Sequence, residues 1–468
     1  MIIELQNFGP IKSFKFDTSK DMHAIFGKNN IGKSYAISAV YLILKGLKTF
    51  SNDLLTPLEI LEFSNDSNQQ LASKIEKGYE KEHDIDISKE IETNLKEVFE
   101  ATFIKLLQSS YSNTYLFENL KNVYSDEPVK IFLHFSQASI VLNISENKKN
   151  IVVEKVKLIS LTQNHFHEKF IIKYPEKYYS IKVRNILFNF QRNPDIENNS
   201  IEITKRITFV IVSNFIHSLR KEFPELIYIL PASRSGLYNT LNSFGPIIAE
   251  LSRSRNFITH KIEIPSLSEP ILDYFLNLNT IDRAKANEHY LKHFEEIEQE
   301  ILKGKITLDN ETKKYYYVPT DTDMRLELSF TSSMISEIAP IIAHLKYIIP
   351  LESDKPSILF IEEPEAHLHP EIQILLIEYF VKLSKGNVKI VMTSHSNYIF
   401  NKLSNLLIAK EISPDRLSVS LMKMTPEGSV VEEGSMQMDE YGIEDNNFVD
   451  VAEQLYEERM QLLENINS

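Results

Sequence analysis

The amino-acid sequence predicts an α/β protein in which a mixed, largely parallel sheet is interrupted by an inserted α+β arm. The sheet is predicted by the final third of the chain, where short apolar strands alternate with amphipathic helices. The arm is predicted by residues 51–225, where a helical segment precedes a series of β-rich runs. With 468 residues, the chain is long enough for two or three domains or one large interrupted domain.

The predicted elements start at the N-terminus. The runs IIELQNF and SFKFD alternate apolar and polar residues around a Gly-Pro turn and predict strands, and HAIF predicts a third strand. A helix is predicted next, because apolar residues recur at helical spacing from Ile37 to Leu47. The later elements, in chain order, are a helix within 85–107, a helix over 203–221, the strand LIYILPA, a mostly helical region over 240–303, a hairpin of GKITLDNETKKYYYVP with RLELSF, a helix over 333–347, the strand SILFI, a helix over 370–384, the strand VKIVMTS and a helix over 397–404.

These elements divide the chain into a core and insertions. The predicted segments are the first part of the core over 1–50, the arm over 51–225, a core strand over 226–240, a helical insertion over 241–303, the second part of the core over 304–430, and a loop with a C-terminal helix over 431–468.

Composition and charge exclude several classes of protein. The sequence has no cysteine, so disulfides and cysteine-ligated zinc sites are excluded, and a reducing cytosol fits. No run reaches the roughly 18 apolar residues of a membrane span, and the N-terminus lacks a signal-peptide pattern, so we expect a cytosolic protein with no membrane partner. The net charge of −14 argues against nucleic-acid binding over the whole surface.

The stretch GKNNIGKS, residues 27–34, lies between the strand HAIF and the first predicted helix. It fits the pattern G-x-x-x-x-G-K-[ST], so we expect its backbone N–H groups to cradle phosphates at a helix N-terminus. Lys33 is expected to reach the β- and γ-phosphates, and Ser34 to ligate Mg²⁺. The alternative is a glycine turn that caps a helix. The predicted nucleotide-binding residues are Gly27, Lys28, Asn29, Asn30, Ile31, Gly32, Lys33 and Ser34.

Two further strands carry polar residues where they end. The strand SILFI is followed by Glu362 and Glu363, which we assign to Mg²⁺ and to the general base. The alternative is a pair of solvated acids. The strand VKIVMTS is followed by His395, which is predicted to donate a hydrogen bond to the γ-phosphate rather than to play a structural part.

Taken in order, GKNNIGKS, FIEEPEAHLHP and VMTSHSNYI resemble the ABC-type ATPase superfamily. Within it they resemble the OLD-type (overcoming lysogenisation defect) branch, which is related to the RecF and SMC proteins. The resemblance covers residues 1–48 and 326–410. It implies an ABC-type core that uses ATP and Mg²⁺, with Lys33, Glu363 and His395 as catalytic residues. It also implies that two protomers sandwich ATP, in a dimer or a higher oligomer.

ABC-type ATPases place a signature segment in the partner's site, and the segment LSFTSSMISEIAP is the candidate here. Ser332 and Ser333 open a predicted helix whose N-terminus would face the partner's γ-phosphate, and Glu337 follows one turn later. The segment departs from the usual signature because it has no glycine. The alternative, two serines that cap a helix, is compatible with a contact in trans. In YILPASRSGL the usual glutamine is missing, and Arg234 could contact phosphate or the arm, or form a salt bridge within the fold.

OLD-type enzymes usually carry a C-terminal Toprim nuclease, and residues 396–468 are too few for that domain. We therefore expect any nuclease to be a separate chain. The architecture resembles the ATPase subunits of the Septu and PARIS anti-phage systems.

Three functional hypotheses follow. The leading one is an ATPase whose nucleotide-gated dimerisation regulates a partner effector, a nuclease or toxin, in anti-phage defence, with DNA or a phage-derived molecule as trigger. The second is a stand-alone RecF-like repair or recombination ATPase that binds DNA directly, and the third is a non-hydrolysing, ATP-dependent assembly scaffold. Residues 146–192 contain ten Lys and Arg residues against four Glu, which fits a DNA surface or the outer face of an amphipathic sheet.

Overall fold

The computed structural model contains two compact units. One comprises Met1–Asp17 and Leu42–Phe223, and the other comprises Thr18–Tyr41 and Pro224–Ser468. We call them the arm unit and the site unit. The structure describes residues 1–52, 65–80, 85–115, 120–145, 150–158, 171–173, 178–183, 186–191, 200–224, 226–240, 267–279, 295–309, 314–349, 355–431, 436–439, 441–443 and 456–463.

Strands and helices are numbered separately in chain order. The strands are β1 (Ile2–Phe8), β2 (Ile11–Asp17), β3 (Met22–Phe26), β4 (Ile85–Asp86), β5 (Lys130–His134), β6 (Ala138–Ser145), β7 (Asn150–Leu158), β8 (Ile171–Lys173), β9 (Tyr178–Val183), β10 (Ile186–Gln191), β11 (Ile227–Leu230), β12 (Gly304–Leu308), β13 (Tyr315–Pro319), β14 (Leu326–Glu327), β15 (Ser357–Glu362), β16 (Val388–Ser394), β17 (Leu417–Thr425), β18 (Gly428–Val431), β19 (Met438–Asp439) and β20 (Gly442–Ile443). The helices are α1 (Lys33–Asn52), α2 (Asn65–Glu80), α3 (Ser88–Ala101), α4 (Phe103–Thr114), α5 (Ser200–Arg220), α6 (Glu269–Asn279), α7 (Ser333–Ala343), α8 (Pro370–Ser384) and α9 (Asn397–Ile408).

The arm unit is built on an antiparallel sheet in the order β2-β1-β5-β6-β7. Alternate residues of β1 and β5 are buried, as expected for a sheet with one face on a core. The sheet crosses the division between core and arm that the sequence predicts, because β5 of the predicted arm pairs with β1 of the predicted core, and β6 and β7 follow β5 in the sheet order. Period-two alternation marks each strand but does not specify a partner about 120 residues away.

The helical segment predicted within 85–107 consists of two helices. Thr102, at φ −121° and ψ −80°, separates α3 from α4. Phe99 and Phe103 on either side of this break pack their rings against Phe50 in the core of the arm unit. The break therefore redirects the chain while both helices keep their apolar residues in one core.

The site unit confirms the predicted α/β class. Its strands β11, β15, β16, β3 and β17 are adjacent in this order and all parallel, and β18 pairs with β17 in the antiparallel direction. All five residues of β3 and the first five of β15 are buried. Near-continuous apolar strands of this kind are typical of a parallel sheet covered on both faces.

The other parts of the site unit agree closely with the predicted elements. The predicted hairpin is a three-stranded sheet of β12, β13 and β14. The helix predicted over 333–347 is α7, followed by a π-helical turn over His344–Ile348. Most of the region 240–303 and of the tail 431–468 lies outside the described residues. Among the helices that the structure describes, none is long and apolar enough to span a membrane.

Candidate functional site

Four parallel strands of the site unit end at one edge of its sheet. Leu230 is in register with Ile361, Glu362 with Thr393, and Ser394 with Phe26. The segments that follow these strands are therefore brought to the same edge. They are the stretch that starts at Pro231, the acids that follow Ile361, the histidine after Ser394 and the glycine loop after Phe26. Crevices at the carboxyl ends of parallel strands are the usual ligand sites of such sheets.

The glycine loop has the backbone of a phosphate cradle. Gly27 has φ +146°, Asn30 φ +63° and Gly32 φ +89°, and α1 begins at the next residue, Lys33. A Cβ atom at Gly27 would lie 2.3 Å from Ile31 Cδ1 and 2.7 Å from the carbonyl oxygen of Met422. Only glycine fits there, so the sequence pattern and the geometry agree on a tight loop at a helix N-terminus.

We expect Gly27→Ala to lower the melting temperature and to weaken ATP binding, because φ +146° is unfavourable for alanine and its Cβ would push Ile31. Gly236 is a matched control, because a Cβ there would meet nothing within 4 Å. Gly236→Ala should leave ATP binding unchanged and raise stability by up to about 1 kcal/mol. Thermal melts and titration with a fluorescent ATP analogue measure both effects, and equal behaviour of the two variants would contradict a specialised Gly27.

Lys33 points its ammonium group back over the loop. Its Nζ donates to the carbonyl oxygens of Gly27 at 2.9 Å and Lys28 at 2.8 Å, and the residue is only 5 % exposed. Burial lowers the pKa of Lys33, while the carboxylates of Glu363 and Glu365 act in the opposite direction. The cation predicted to meet phosphate thus lies within the field of the acids on the neighbouring strand ends.

Ser34 and Glu362, the two predicted Mg²⁺ ligands, are in direct contact. Ser34 donates its hydroxyl to the Glu362 carboxylate, which also accepts the backbone N–H of Ala232. Burial raises the pKa of Glu362, and these two hydrogen bonds act against that rise. A serine hydroxyl and a carboxylate held together supply the oxygen ligands that Mg²⁺ prefers.

Glu363 and His395 face each other across the strand ends. His395 Nδ1 lies 3.7 Å from Glu363 Oε1, and both side chains are partly exposed. Glu363 has a left-handed backbone with φ +44°, unusual for a residue other than glycine. Its N–H donates to the carbonyl oxygen of Thr393 at 3.1 Å, and its carbonyl accepts from Arg234 Nη2 at 3.1 Å. Strained backbone held from both sides is common at functional positions.

Known proteins resemble this chain over most of its length. The AAA_15 family, described as an AAA ATPase domain, matches residues 1–400. The chain belongs to this family. The core motifs at 27–34, 362–363 and 395 all fall within the matched part of this AAA ATPase domain.

A relative of this ATPase is "Endonuclease GajA" of Bacillus cereus (strain HuB5-5), 22% identical over 339 residues. The alignment covers 66% of this chain and 49% of GajA, so the chain spans about half the length of that relative. The family match confirms the recognition, made from the motifs, that this chain is an ATPase.

Solved structures also resemble the ATPase. They include the SMC head domain from Thermotoga maritima (10% identity, TM-score 0.35), which covers 92% of this chain and 98% of that one. A second is the SmcHead bound to the C-winged helix domain of ScpA (12% identity, TM-score 0.36), with coverage of 92% and 96%. A third is a Pyrococcus furiosus Smc head domain with an extended coiled coil (13% identity, TM-score 0.33), with coverage of 100% and 99%.

Arg234 of the ATPase forms a salt bridge within the fold, one of the alternatives that the sequence left open. It is fully buried, and its Nε lies 3.4 Å from Oε2 of Glu337 on α7. Its Nη1 donates to the carbonyl oxygen of Glu362 at 2.7 Å. The guanidinium therefore connects α7 with the end of β15.

Ser332 and Ser333 lie exposed at the N-terminus of α7. Ser332 is the N-cap, and its hydroxyl accepts the N–H of Ile335 at 3.4 Å. The capping alternative is thus correct for Ser332, and Ser333 is the first residue of the helix. The role in trans that the sequence suggested for both remains a prediction.

Glu365, the last acid of the run EEPE, is a site residue that was not predicted from the sequence. It is 6 % exposed, and its Oε1 accepts the Ser394 hydroxyl at 2.7 Å and the His395 N–H at 2.9 Å. Its Oε2 is buried without a hydrogen-bond partner among the described residues. The carboxylate thus fixes the backbone of His395 and adds negative charge near Lys33. The sequence signal that could have indicated Glu365 is the presence of a third acid within the four residues of EEPE.

The basic run over 146–192 lies mostly outside the residues whose side chains the structure describes. Within the described part, Lys155 and Lys157 are exposed on β7, and the exposed Glu154 that precedes them pairs with Lys130 at 3.3 Å. DNA binding by this run therefore stays a prediction.

Proposed function

We propose that this protein is a Mg²⁺-dependent ATP-hydrolysing enzyme whose nucleotide-gated dimerisation regulates a separate effector, a nuclease or toxin, in anti-phage defence. The observation that carries the proposal is the alignment of four strand ends, which places Lys33, Glu362, Glu363 and His395 at one edge of one sheet. The field of Glu363 and Glu365 at Lys33 supports a shared site for a single triphosphate.

The residues present fit ATP and Mg²⁺. Gly27 provides space that a Cβ would fill, and α1 begins at Lys33, so the positive end of its helix dipole lies at the glycine loop, where a phosphate is stabilised. Ser34 and Glu362, already in contact, would hold the Mg²⁺. When bound, Mg²⁺ supplies charge neutralisation on the phosphates.

The chemistry assigned to the chain's own residues is acid–base and electrostatic. Glu363 would accept a proton from the water that attacks the γ-phosphorus, and Lys33 would turn from the loop carbonyls to the phosphates. His395, 3.7 Å from Glu363, would donate a hydrogen bond to a γ-phosphate oxygen. Each group is held by backbone or side-chain contacts, so positioning contributes much of the expected rate.

Dimerisation is supported by the exposed N-terminus of α7. Both Ser332 and Ser333 are exposed, and among the described residues neither makes a hydrogen bond to the glycine loop of its own protomer. The N-terminus of their helix attracts anions. A second copy of the chain would bring these serines to the γ-phosphate of its partner. Each site would then be complete only in the assembly.

Control of an effector is the further step in this proposal. It is supported by the relation to an endonuclease, GajA, and by the resemblance to OLD-type proteins and to the ATPase subunits of Septu and PARIS. The absence of cysteine in the sequence is consistent with action in the cytosol.

Mixing two inactive variants tests the shared site. Lys33→Met removes the phosphate-binding cation of one site, and Ser333→Ala removes the proposed group in trans. In an equimolar mixture about half of the dimers are mixed and each has one intact site, so about a quarter of wild-type ATP turnover should return. Lys33→Met mixed with Glu363→Gln is the matched control. Each of these changes damages the site at the glycine loop of its own protomer, so a mixed dimer has no intact site. Recovery in the control, or none in the test mixture, would contradict the sandwich.

A second measurement separates the direct-DNA hypothesis from effector control. If the purified protein alone is a DNA-repair ATPase, double-stranded DNA should stimulate its turnover many-fold. For an effector regulator we expect turnover within about twofold of the DNA-free value at physiological salt, since the net charge is −14. Strong stimulation without any partner would overturn the proposal.

A further inference from the structure

The buried pair of Arg234 and Glu337 forms a hydrogen-bond network that reaches the backbone of the site acids Glu362 and Glu363. Arg234 follows β11, at the start of a helical segment over 234–240, and Glu337 lies on α7. The Glu337 carboxylate accepts the Arg234 N–H at 3.1 Å, the Ser235 N–H at 3.1 Å and the Ser235 hydroxyl at 2.6 Å. This carboxylate is thus satisfied on both oxygens and is fixed in place.

The Arg234 side chain donates all its hydrogen bonds in this network to backbone carbonyl oxygens. Its Nε donates to the backbone carbonyl of Glu337 at 3.1 Å and its Nη1 to that of Pro231 at 3.3 Å. The remaining bonds go to the carbonyls of Glu362 at 2.7 Å and Glu363 at 3.1 Å. A planar guanidinium can serve both successive carbonyls at once, which an ammonium group on a flexible stem cannot do with the same geometry.

These two carbonyls belong to the segment with the strained backbone. Glu363 has φ +44°, a conformation that is unfavourable without support, and Arg234 holds the carbonyl on its C-terminal side. Arg234 itself needs an anion, because burial lowers its pKa and the carboxylate of Glu337 counteracts this. Loss of either residue would therefore release the peptide that aims the general base.

We infer that Arg234, held by Glu337, is a positioning residue that fixes the left-handed backbone of Glu363 and thereby aims its carboxylate at the attacking water. This inference rests on the proposed ATP hydrolysis and adds residues to its site. Arg234 and Glu337 touch neither phosphate nor water in this role, and they act through Glu363. The predicted signature helix thus contributes to its own protomer's site through Glu337.

The test compares two equivalent changes in buried ion pairs of the same unit. Glu298 and Lys346 form the control pair, with Nζ to Oε distances of 2.9 and 3.0 Å and exposures of 1 % and 8 %. Glu337→Gln and Glu298→Gln each remove one buried negative charge without changing side-chain size. Both variants should therefore lose thermal stability to a similar degree.

The kinetic constants are expected to differ. Glu337→Gln should lower kcat for ATP at least about tenfold, with the Kd for a fluorescent ATP analogue within about twofold of wild type, since misplacement of a catalytic group costs rate and not binding. Glu298→Gln should keep kcat within about twofold. Arg234→Lys retains the buried cation and should reproduce the loss of kcat. It replaces Glu337→Gln in the test if that variant does not fold.

The outcomes distinguish a failure of the positioning role from a failure of the proposed ATP hydrolysis. Equal kcat for Glu337→Gln and Glu298→Gln, or parallel loss of kcat and ATP binding, would overturn the positioning role while leaving ATP hydrolysis intact. A wild-type protein that binds ATP but shows no turnover with Mg²⁺ would overturn the proposed function, and the positioning role with it.

Discussion

Replacing Glu363 by glutamine is expected to lower kcat for ATP hydrolysis by about 10²- to 10⁴-fold, the range typical of a lost general base. Glutamine keeps the size of the side chain but does not accept a proton from water. The backbone contacts with Thr393 and Arg234 do not involve the carboxylate, so the strained turn should persist. ATP should therefore bind with unchanged or greater affinity, because one negative charge near the triphosphate is removed.

Single-turnover kinetics and equilibrium titration with an ATP analogue measure these two quantities separately. Glu371→Gln is the matched control, since this exposed glutamate lies in the first turn of the neighbouring helix α8. It should leave kcat within about twofold of wild type, as expected for a surface change away from the site. Unchanged turnover in Glu363→Gln would assign the base to another group, and a parallel loss of binding would indicate a collapsed site.

Much of the site could be predicted because each motif follows its own strand. Buried apolar runs such as SILFI mark parallel strands, and parallel strands end at one sheet edge, so the residues after them meet there. The register of β15, β16 and β3 agrees with that expectation for Glu362, His395 and Gly27. The local sequence pattern and the parallel direction of the strands were sufficient to predict that these residues lie at one sheet edge.

The remaining parts of the site depend on contacts between distant segments. Glu365 acquires its role from Ser394 and His395, 29 and 30 residues away, and Arg234 from a helix 103 residues later. The immediate sequence of Glu365 and Arg234 does not show that their side chains are buried and bonded to distant segments. The pairing of β5 with β1 in the arm unit was missed for the same reason, because alternation identifies a strand and not its neighbour.

Lys33→Met is expected to weaken ATP binding by about 10- to 150-fold, which corresponds to the roughly 1.5–3 kcal/mol of a hydrogen bond to a charged group. Turnover at saturating ATP should fall as well, because the ammonium also stabilises charge that develops on the transferred phosphoryl group. Methionine keeps most of the aliphatic stem, so the packing inside the loop should be retained. Isothermal titration with ATP and Mg²⁺ and a coupled ATPase assay measure the two effects.

Stability should respond in a different way from binding. The pKa of Lys33 is lowered by burial, so its charge is unfavourably placed until an anion arrives, and removing that charge takes away this cost. We therefore expect the melting temperature of Lys33→Met without nucleotide to equal or exceed that of wild type, and its increase on adding ATP to be lost. Lys20→Met, at an exposed lysine that donates to the Asp415 carbonyl at 2.9 Å, should preserve the increase. A large fall in melting temperature for Lys33→Met alone would mean that the lysine chiefly holds the loop together through Gly27 and Lys28, and that phosphate binding depends on other groups.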